Sequence, residues 1–252
     1  MKKIILSSIA ASSLLVISAC GESSSEAIYN HLEEAVELEE GFQQQQEPLM
    51  EAEQQEYEIY EEILSLGLTE LEEIQALSNE ALELVDEREE RLEMERESIE
   101  ASYEEYQQAE EEMENLEEDE EIAAAEDIRD TMNERYASYE ELYTNYSEAI
   151  ELDRELYHMF QDEELEIDEL QDHIDTINER YRSVVDSKER FNEYTDRYNE
   201  AKSSFYQAAG LNVEETEAPE AEGPDEDDEE EDNGEEEEEP EAEEPGDVVD
   251  NG

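Results

Sequence analysis

Apolar residues recur along this chain at steps of three and four, the period of a helix with one buried stripe. The first stripe runs Ile28, Leu32, Ala35, Leu38, Phe42, Leu49, Ala52, Ile59, Ile63 and Leu66. Ser25 is placed to cap that helix, with Ile28 at its third position. Gly41 and Pro48 weaken the pattern, and Pro48, which has no N–H, is expected to kink or restart the helix. Ser65-Leu66-Gly67-Leu68 reads as a turn, and Thr69 with Glu72 has the spacing of a capping box.

The second stripe runs Leu71, Ile74, Ser78, Ala81, Val85, Leu92, Ile99, Tyr106, Met113 and Leu116. Acids interrupt it at Glu117 to Glu121, where either Asp119 caps a third helix or one helix runs straight through. The third stripe is Ile122, Ala125, Ile128, Met132, Tyr136, Tyr139, Leu142, Tyr146, Ala149, Leu156 and Phe160. Gln161 to Glu166 reads as a connection, followed by a second capping box at Asp168 and Gln171. The last stripe is Leu170, Ile174, Ile177, Tyr181, Val184, Phe191, Tyr194, Tyr198, Ala201, Phe205 and Ala208, and Gly210 with Leu211 reads as its stop.

No glycine or proline lies between Leu68 and Ala209, which argues against strands and long loops. The fold class is therefore all-α: elongated antiparallel helical hairpins in a coiled-coil-like bundle over residues 26–211. The hairpins form either one up-down four-helix bundle or two units joined end to end. One segment recurs: Asp130-Thr-Met-Asn-Glu-Arg-Tyr-Ala-Ser138 returns as Asp175-Thr-Ile-Asn-Glu-Arg-Tyr-Arg-Ser183, 45 residues on. Either the last two helices are duplicated units or a Glu-, Arg- and Tyr-rich chain repeats itself by chance.

Charge narrows the picture. There are 85 acidic residues against 14 basic ones, a net charge of -71, and only 36% of residues are hydrophobic. A broad core is out of reach, whereas narrow helix stripes are not. Such a charge opposes compaction until salt screens it, and at about 1 M the Debye length falls to roughly 3 Å. The composition therefore points to a saline or alkaline exterior. With no basic patch to neutralise phosphates, nucleic acid is excluded as a partner. Residues 212–252 hold four of the five prolines, no basic residue and the acid runs Asp225 to Asp232 and Glu235 to Glu239. They read as a disordered acidic tail, solvated, with diffuse binding of divalent cations as the alternative.

The beginning of the chain carries the clearest chemistry. Lys2 and Lys3 precede an apolar run too short and too serine-rich for a spanning helix, ending at Ile17-Ser18-Ala19-Cys20. An aliphatic residue, two small ones and a cysteine make a bacterial lipobox. In that chemistry the Cys20 thiolate takes a diacylglyceryl group and the bond after Ala19 is cut. Cys20 is the one cysteine of the sequence, so an intramolecular disulfide is excluded. Residues 1–19 are then a signal peptide, and residues 20–25 the lipidated cysteine with a short tether. The protein is expected on the extracytoplasmic face of the cell membrane, its partner the lipid that holds Cys20.

Catalytic chemistry is not apparent. His31, His158 and His173 fall on different helices without a shared motif. Glu155 and His158 form one Glu-x-x-His, the spacing of di-iron bundles, but no second copy exists. Nucleophile elbows, glycine-rich phosphate loops and zinc-protease motifs are absent. No catalytic residue, metal site or cofactor is assigned. A tyrosine stripe (Tyr136, Tyr139, Tyr143, Tyr146, Tyr181, Tyr194, Tyr198) reads first as packing and second as a platform for sugar rings.

Several segments resemble a known family. They are Ser65-Leu-Gly-Leu-Thr69, Ala81-Leu-Glu-Leu-Val-Asp-Glu-Arg-Glu-Glu90, Phe191-Asn-Glu-Tyr-Thr195, Tyr198-Asn-Glu-Ala201 and Phe205-Tyr-Gln-Ala-Ala-Gly-Leu-Asn-Val213. Together with the lipobox they are similar to the YkyA family of cell-wall-binding lipoproteins of Gram-positive bacteria, over about residues 1–213. The resemblance implies an extracytoplasmic helical lipoprotein and carries no catalytic residues. The helices here hold few lysines, so attraction to anionic wall polymers would need divalent bridging, salt screening or sugar stacking. The expected function is a non-enzymatic envelope protein that binds the cell wall or an envelope partner through its helices. The alternatives are a coiled-coil scaffold that regulates a wall hydrolase and, from another class, a metal-binding bundle.

Overall fold

The computed structural model describes residues 23–66 and 70–211. The lipobox at residues 17–20, Thr69 of the expected capping box and the acidic tail lie outside them. Among the described residues there are five helices and no strand: α1 (Ser24–Leu38), α2 (Glu40–Ser65), α3 (Leu71–Met113), α4 (Asp119–Phe160) and α5 (Ile167–Ala208). At 1.5 Å per residue the three long helices each extend about 60 Å.

Helices α1 and α2 together form the first leg, α3 returns along it, α4 reverses again and α5 returns beside α4. Of the two arrangements open to the sequence, the structure takes the up-down bundle. Ile28 and Leu32 of α1 share one apolar cluster with Met113 of α3, Ala125 of α4 and Phe205 of α5. At the opposite end Ile63, Ile74, Phe160 and Ile177 share another. A small middle cluster holds Ile99, Tyr139 and Phe191, with Phe42 against it. The chain reverses between α3 and α4 at Glu114–Glu118, so no continuous helix passes this point.

The helix starts differ from the sequence expectation. Ser23, not Ser25, caps α1: its hydroxyl accepts from the Glu26 N–H while the Glu26 carboxylate accepts from the Ser23 N–H. A serine followed three residues later by glutamate satisfies two backbone donors reciprocally; Ser25 with Ile28 would satisfy one. Ser25 instead donates to Glu121 of α4 at 2.8 Å. The N-caps of α3 and α5 are Glu70 and Glu166, neither with a side-chain cap bond, so Asp168 and Gln171 lie inside α5 and form no capping box. Asp119 is the first residue of α4, behind the N-cap Glu118.

The break in the first leg falls at Glu39 rather than at Pro48, which lies inside α2. Its cause is a side chain inserted into the helix ladder. The Ser98 hydroxyl of α3 donates to the Leu38 carbonyl at 2.6 Å and accepts from the Phe42 N–H at 3.0 Å. Those two backbone groups are four residues apart and would otherwise bond each other. Gly41 makes room: a Cβ there would stand 3.0 Å from Ser98 Oγ. At the far end of the chain Gly210 takes φ 67°, the Leu211 N–H bonds the Tyr206 carbonyl at 2.9 Å, and Leu211 packs on the end cluster. This is a Schellman stop, as its Gly-Leu pair indicates.

Candidate functional site

The bundle's interior contains charge as well as apolar contacts. Arg88 is 1% exposed, in a position on α3 that follows Ala81 and Val85 at the stripe's own spacing. Its Nη1 donates to Glu56 of α2 at 2.6 Å and to Asp153 of α4 at 2.9 Å, and its Nη2 donates to the Tyr181 hydroxyl of α5 at 2.6 Å. The Tyr181 hydroxyl in turn donates to Asp153. Tyr146 lies against the guanidinium, its ring centroid 5.4 Å away, and donates its hydroxyl to Glu53. One cation thus gathers all four legs of the bundle.

Two buried carboxylates face this one arginine, with the part-exposed Glu53 3.9 Å from its Nη2, and burial raises the pKa of both buried groups. Glu56 is pushed from 4.5 up to about 7, chiefly by burial and against the pull of Arg88. Burial raises Asp153 likewise, against the same arginine. Further along α3, Glu95 is buried, accepts from Gln46 Nε2 at 2.5 Å and is pushed by burial to about 8.

A second buried arginine holds the break in the first leg. Arg135 of α4 grips Glu39 with both terminal nitrogens, each at 2.8 Å, and donates from Nε to Thr195 of α5 at 3.0 Å. Its guanidinium lies 4.9 Å from the Phe191 ring centroid and 5.8 Å from that of Tyr198. Ser102 of α3 also donates to Glu39, at 2.9 Å. The residue at the helix break is therefore fixed directly by α3 and α4, and through Arg135 by α5.

Most of the tyrosine stripe is interior. Tyr139 and Tyr198 are buried, and Tyr146 and Tyr181 serve the Arg88 layer. Tyr136 stacks on Tyr103, ring centroids 3.9 Å apart, Tyr143 donates to Glu93, and Tyr194 lies under Arg197. The repeated segment does not repeat its roles. Arg135 is buried, whereas its counterpart Arg180 lies near the surface with Asn145 and Glu148.

Glu155 and His158 are exposed on α4. Among the described residues no group of three or more His, Cys, Asp or Glu side chains is placed to hold a metal ion. His31 Nδ1 lies 2.5 Å from Glu105 and His173 Nε2 lies 2.8 Å from the Leu152 carbonyl, so the three histidines stay apart. A shallow groove of about 520 Å³ between α3 and α4 is lined by Asp86, Glu89, Glu90, Glu93, Met94 and Tyr143. Arg154 closes one side by pairing with Asp86 and Glu89. No described helix is long and apolar enough to cross a membrane.

The architecture is that of an all-α antiparallel bundle, cross-tied inside by two arginine layers and polyanionic outside. Residues 23–208 match the YkyA family, described as "Putative cell-wall binding lipoprotein". The chain belongs to that family. A relative from Bacillus subtilis (strain 168), "Uncharacterized lipoprotein YkyA", is 33% identical over 203 residues, covering 80% of this chain and 91% of its own. A crystal structure of a conserved protein of unknown function from Staphylococcus aureus matches with a TM-score of 0.53 at 10% identity. It covers 72% of this chain and 91% of that one, a likeness of fold alone.

Proposed function

We propose that this protein is a lipid-anchored, extracytoplasmic and non-enzymatic envelope protein whose helical surface binds the cell wall. The observation that carries the reading is the family match, with its wall-binding description, over the helical residues that follow the lipobox. Residues 1–19 are the signal peptide and Cys20 carries the lipid. A tether from Cys20 to the α1 cap at Ser23 spans only about 3.5 Å per residue. The end of the bundle that gathers α1, the α3–α4 reversal and the end of α5 then lies against the membrane. The α2–α3 and α4–α5 connections lie about 60 Å further out, toward the wall.

Recognition belongs to the outer surface, because most of the tyrosine stripe and both arginine layers lie inside the bundle. Sugar contact falls to the half-buried Tyr194 of the stripe. The test is co-sedimentation of residues 20–252 and 20–213, each carrying Cys20→Ser, with purified cell walls at low salt, at high salt and with Mg²⁺. Saturable binding by the shorter form is the expected result. Absence of binding in every condition overturns the reading, and binding only with both Mg²⁺ and the tail replaces it with cation bridging. In cells, Cys20→Ser is expected to release the protein from the membrane fraction.

A further inference from the structure

Helices α1 and α2 carry a second apolar line, on their outer surface. Val36, Met50, Tyr57 and Leu64 are 42, 40, 58 and 49% exposed, half of the large apolar side chains that the described surface leaves open. All four fall at multiples of seven from Val36, with Gln43 at the remaining position. Seven residues are two helical turns, so Met50, Tyr57 and Leu64 line one face of α2 for about 20 Å, with Val36 on α1 before the break at Glu39. It is separate from the core stripe of Leu49, Ala52, Ile59 and Ile63, and none of its members packs in the three interior clusters. Leu38, Met94, Ile167 and Val185, the other exposed apolar residues, share no such register.

The charge around this line selects what can cover it. From Val36 to Leu64 there are ten glutamates and no lysine or arginine. Glu40, Glu47 and Glu61 are exposed one helical turn from the apolar positions, on the solvent side. On the core side Glu53 is 42% exposed. A second copy would bring the same glutamates against these, and an anionic lipid surface or wall polymer would be repelled in the same way. A cationic amphipathic helix meets both demands: its apolar side covers the line, and its lysines or arginines face the flanking glutamates.

We infer that the outer face of α1 and α2 is the docking surface for a cationic amphipathic helix of an envelope partner. The contact is a helix laid along a helix, anchored at Met50, Tyr57 and Leu64. Charge speeds encounter and makes the association salt-sensitive, while the apolar line makes it specific for an amphipathic partner.

The probe is a fluorescent four-heptad peptide with leucine at the first and fourth positions and lysine and alanine elsewhere, set against a scrambled peptide of identical composition. Anisotropy titrations use residues 20–252 carrying Cys20→Ser. The helical peptide is expected to bind saturably and about tenfold or more tighter than the scrambled one. Met50→Gln/Tyr57→Gln/Leu64→Gln, at exposed positions, is expected to erase that difference while keeping the helical spectrum. Met94→Gln/Ile167→Gln is expected to keep it, and Glu47→Gln/Glu61→Gln to weaken binding at low salt alone. Equal affinity for both peptides, or full retention in the triple variant, overturns the proposal. So does a dimer of the chain that the triple variant dissolves, since that makes a second copy the occupant. No wall is present in this measurement, so its failure leaves the wall reading standing, and failure of wall pelleting leaves this one.

Discussion

Arg88 occupies a place that the spacing of its neighbours reserves for an apolar side chain. Ala81, Val85 and Leu92 continue past it at steps of three and four, and a reader of the pattern sees only a gap of seven between Val85 and Leu92. The same gap hides Glu95 between Leu92 and Ile99 and Asp153 between Ala149 and Leu156, while at Arg135 the stripe is read through the adjacent Tyr136 instead. Each of these charged residues is buried. The stripes were legible because hydrophobicity repeats, whereas these residues were not, because partners on other helices decide whether a charge can sit inside. The available signal is a charge on the stripe's own step in each of several helices. Removing Arg88 would leave Glu56 and Asp153 buried without a counterion. Arg88→Met is therefore expected to destabilise by about 3–5 kcal/mol at neutral pH, read by urea unfolding. The loss should shrink as pH falls toward about 7, where Glu56 takes up a proton even beside the arginine.

Glu95 gives the pH dependence its sign. The folded chain holds its proton up to about 8, whereas an ordinary glutamate releases it near 4.5. Its contribution to stability is therefore complete below about 4.5 and is lost as pH rises to about 8. Glu56, titrating near 7, acts in the same direction. Stability is expected to fall from pH 5 to pH 8, at a slope on the order of 1 kcal/mol per pH unit for each group. Glu95→Gln keeps an acceptor for Gln46 and should flatten that slope. An unchanged slope in the variant would show that Glu95 ionises freely in the folded chain.

At the scale of the element, the first leg shows how a break can be built by a neighbour. Sequence placed the weakness at Gly41 and Pro48, and both residues matter less for their own conformations than expected. Pro48 is carried inside α2, while Gly41 serves by leaving space for Ser98. A double-mutant cycle checks this. Gly41→Ala alone presses its Cβ on Ser98 and is expected to cost about 1–2 kcal/mol. In a Ser98→Gly background, which removes both the Oγ and the Cβ standing 3.1 Å from the added methyl, the Phe42 N–H can return to the Leu38 carbonyl, so Gly41→Ala should cost little or become stabilising. Additive costs would place the strain elsewhere. Helix ends followed the same logic: the Gly210-Leu211 stop was legible because its bonds are local, as were the runs of each helix. The choice of Ser23 over Ser25 turned on a glutamate three residues on.

For the whole molecule, charge and topology are the two decisive terms. The excess of acids along the helices opposes the close approach of the four legs, and the two buried arginine layers supply only local relief. Added NaCl is expected to raise the urea midpoint up to about 1 M, where the Debye length is roughly 3 Å, and a flat series would deny that repulsion limits stability. Topology was the larger ambiguity, because Glu117 to Glu121 carries neither glycine nor proline and reads equally as a turn or as continuous helix. Contacts distant in sequence settle it, with Arg88 joining Glu56, Asp153 and Tyr181. The proposed anchoring geometry depends on this closure, since it alone puts both outer connections at one end of the bundle.

The most direct test is a distance between spin labels at Glu62→Cys and Asp168→Cys, in a chain lacking Cys20. Both sites are exposed and flank the end where the Tyr60 and Phe160 rings lie 6.3 Å apart. The closed bundle predicts a separation within about 25 Å, a helix diameter plus label reach. Two hairpins joined end to end would hold the labels roughly 120 Å apart, twice the length of a long helix. A distance of that order would contradict the closed bundle and the anchored geometry built on it.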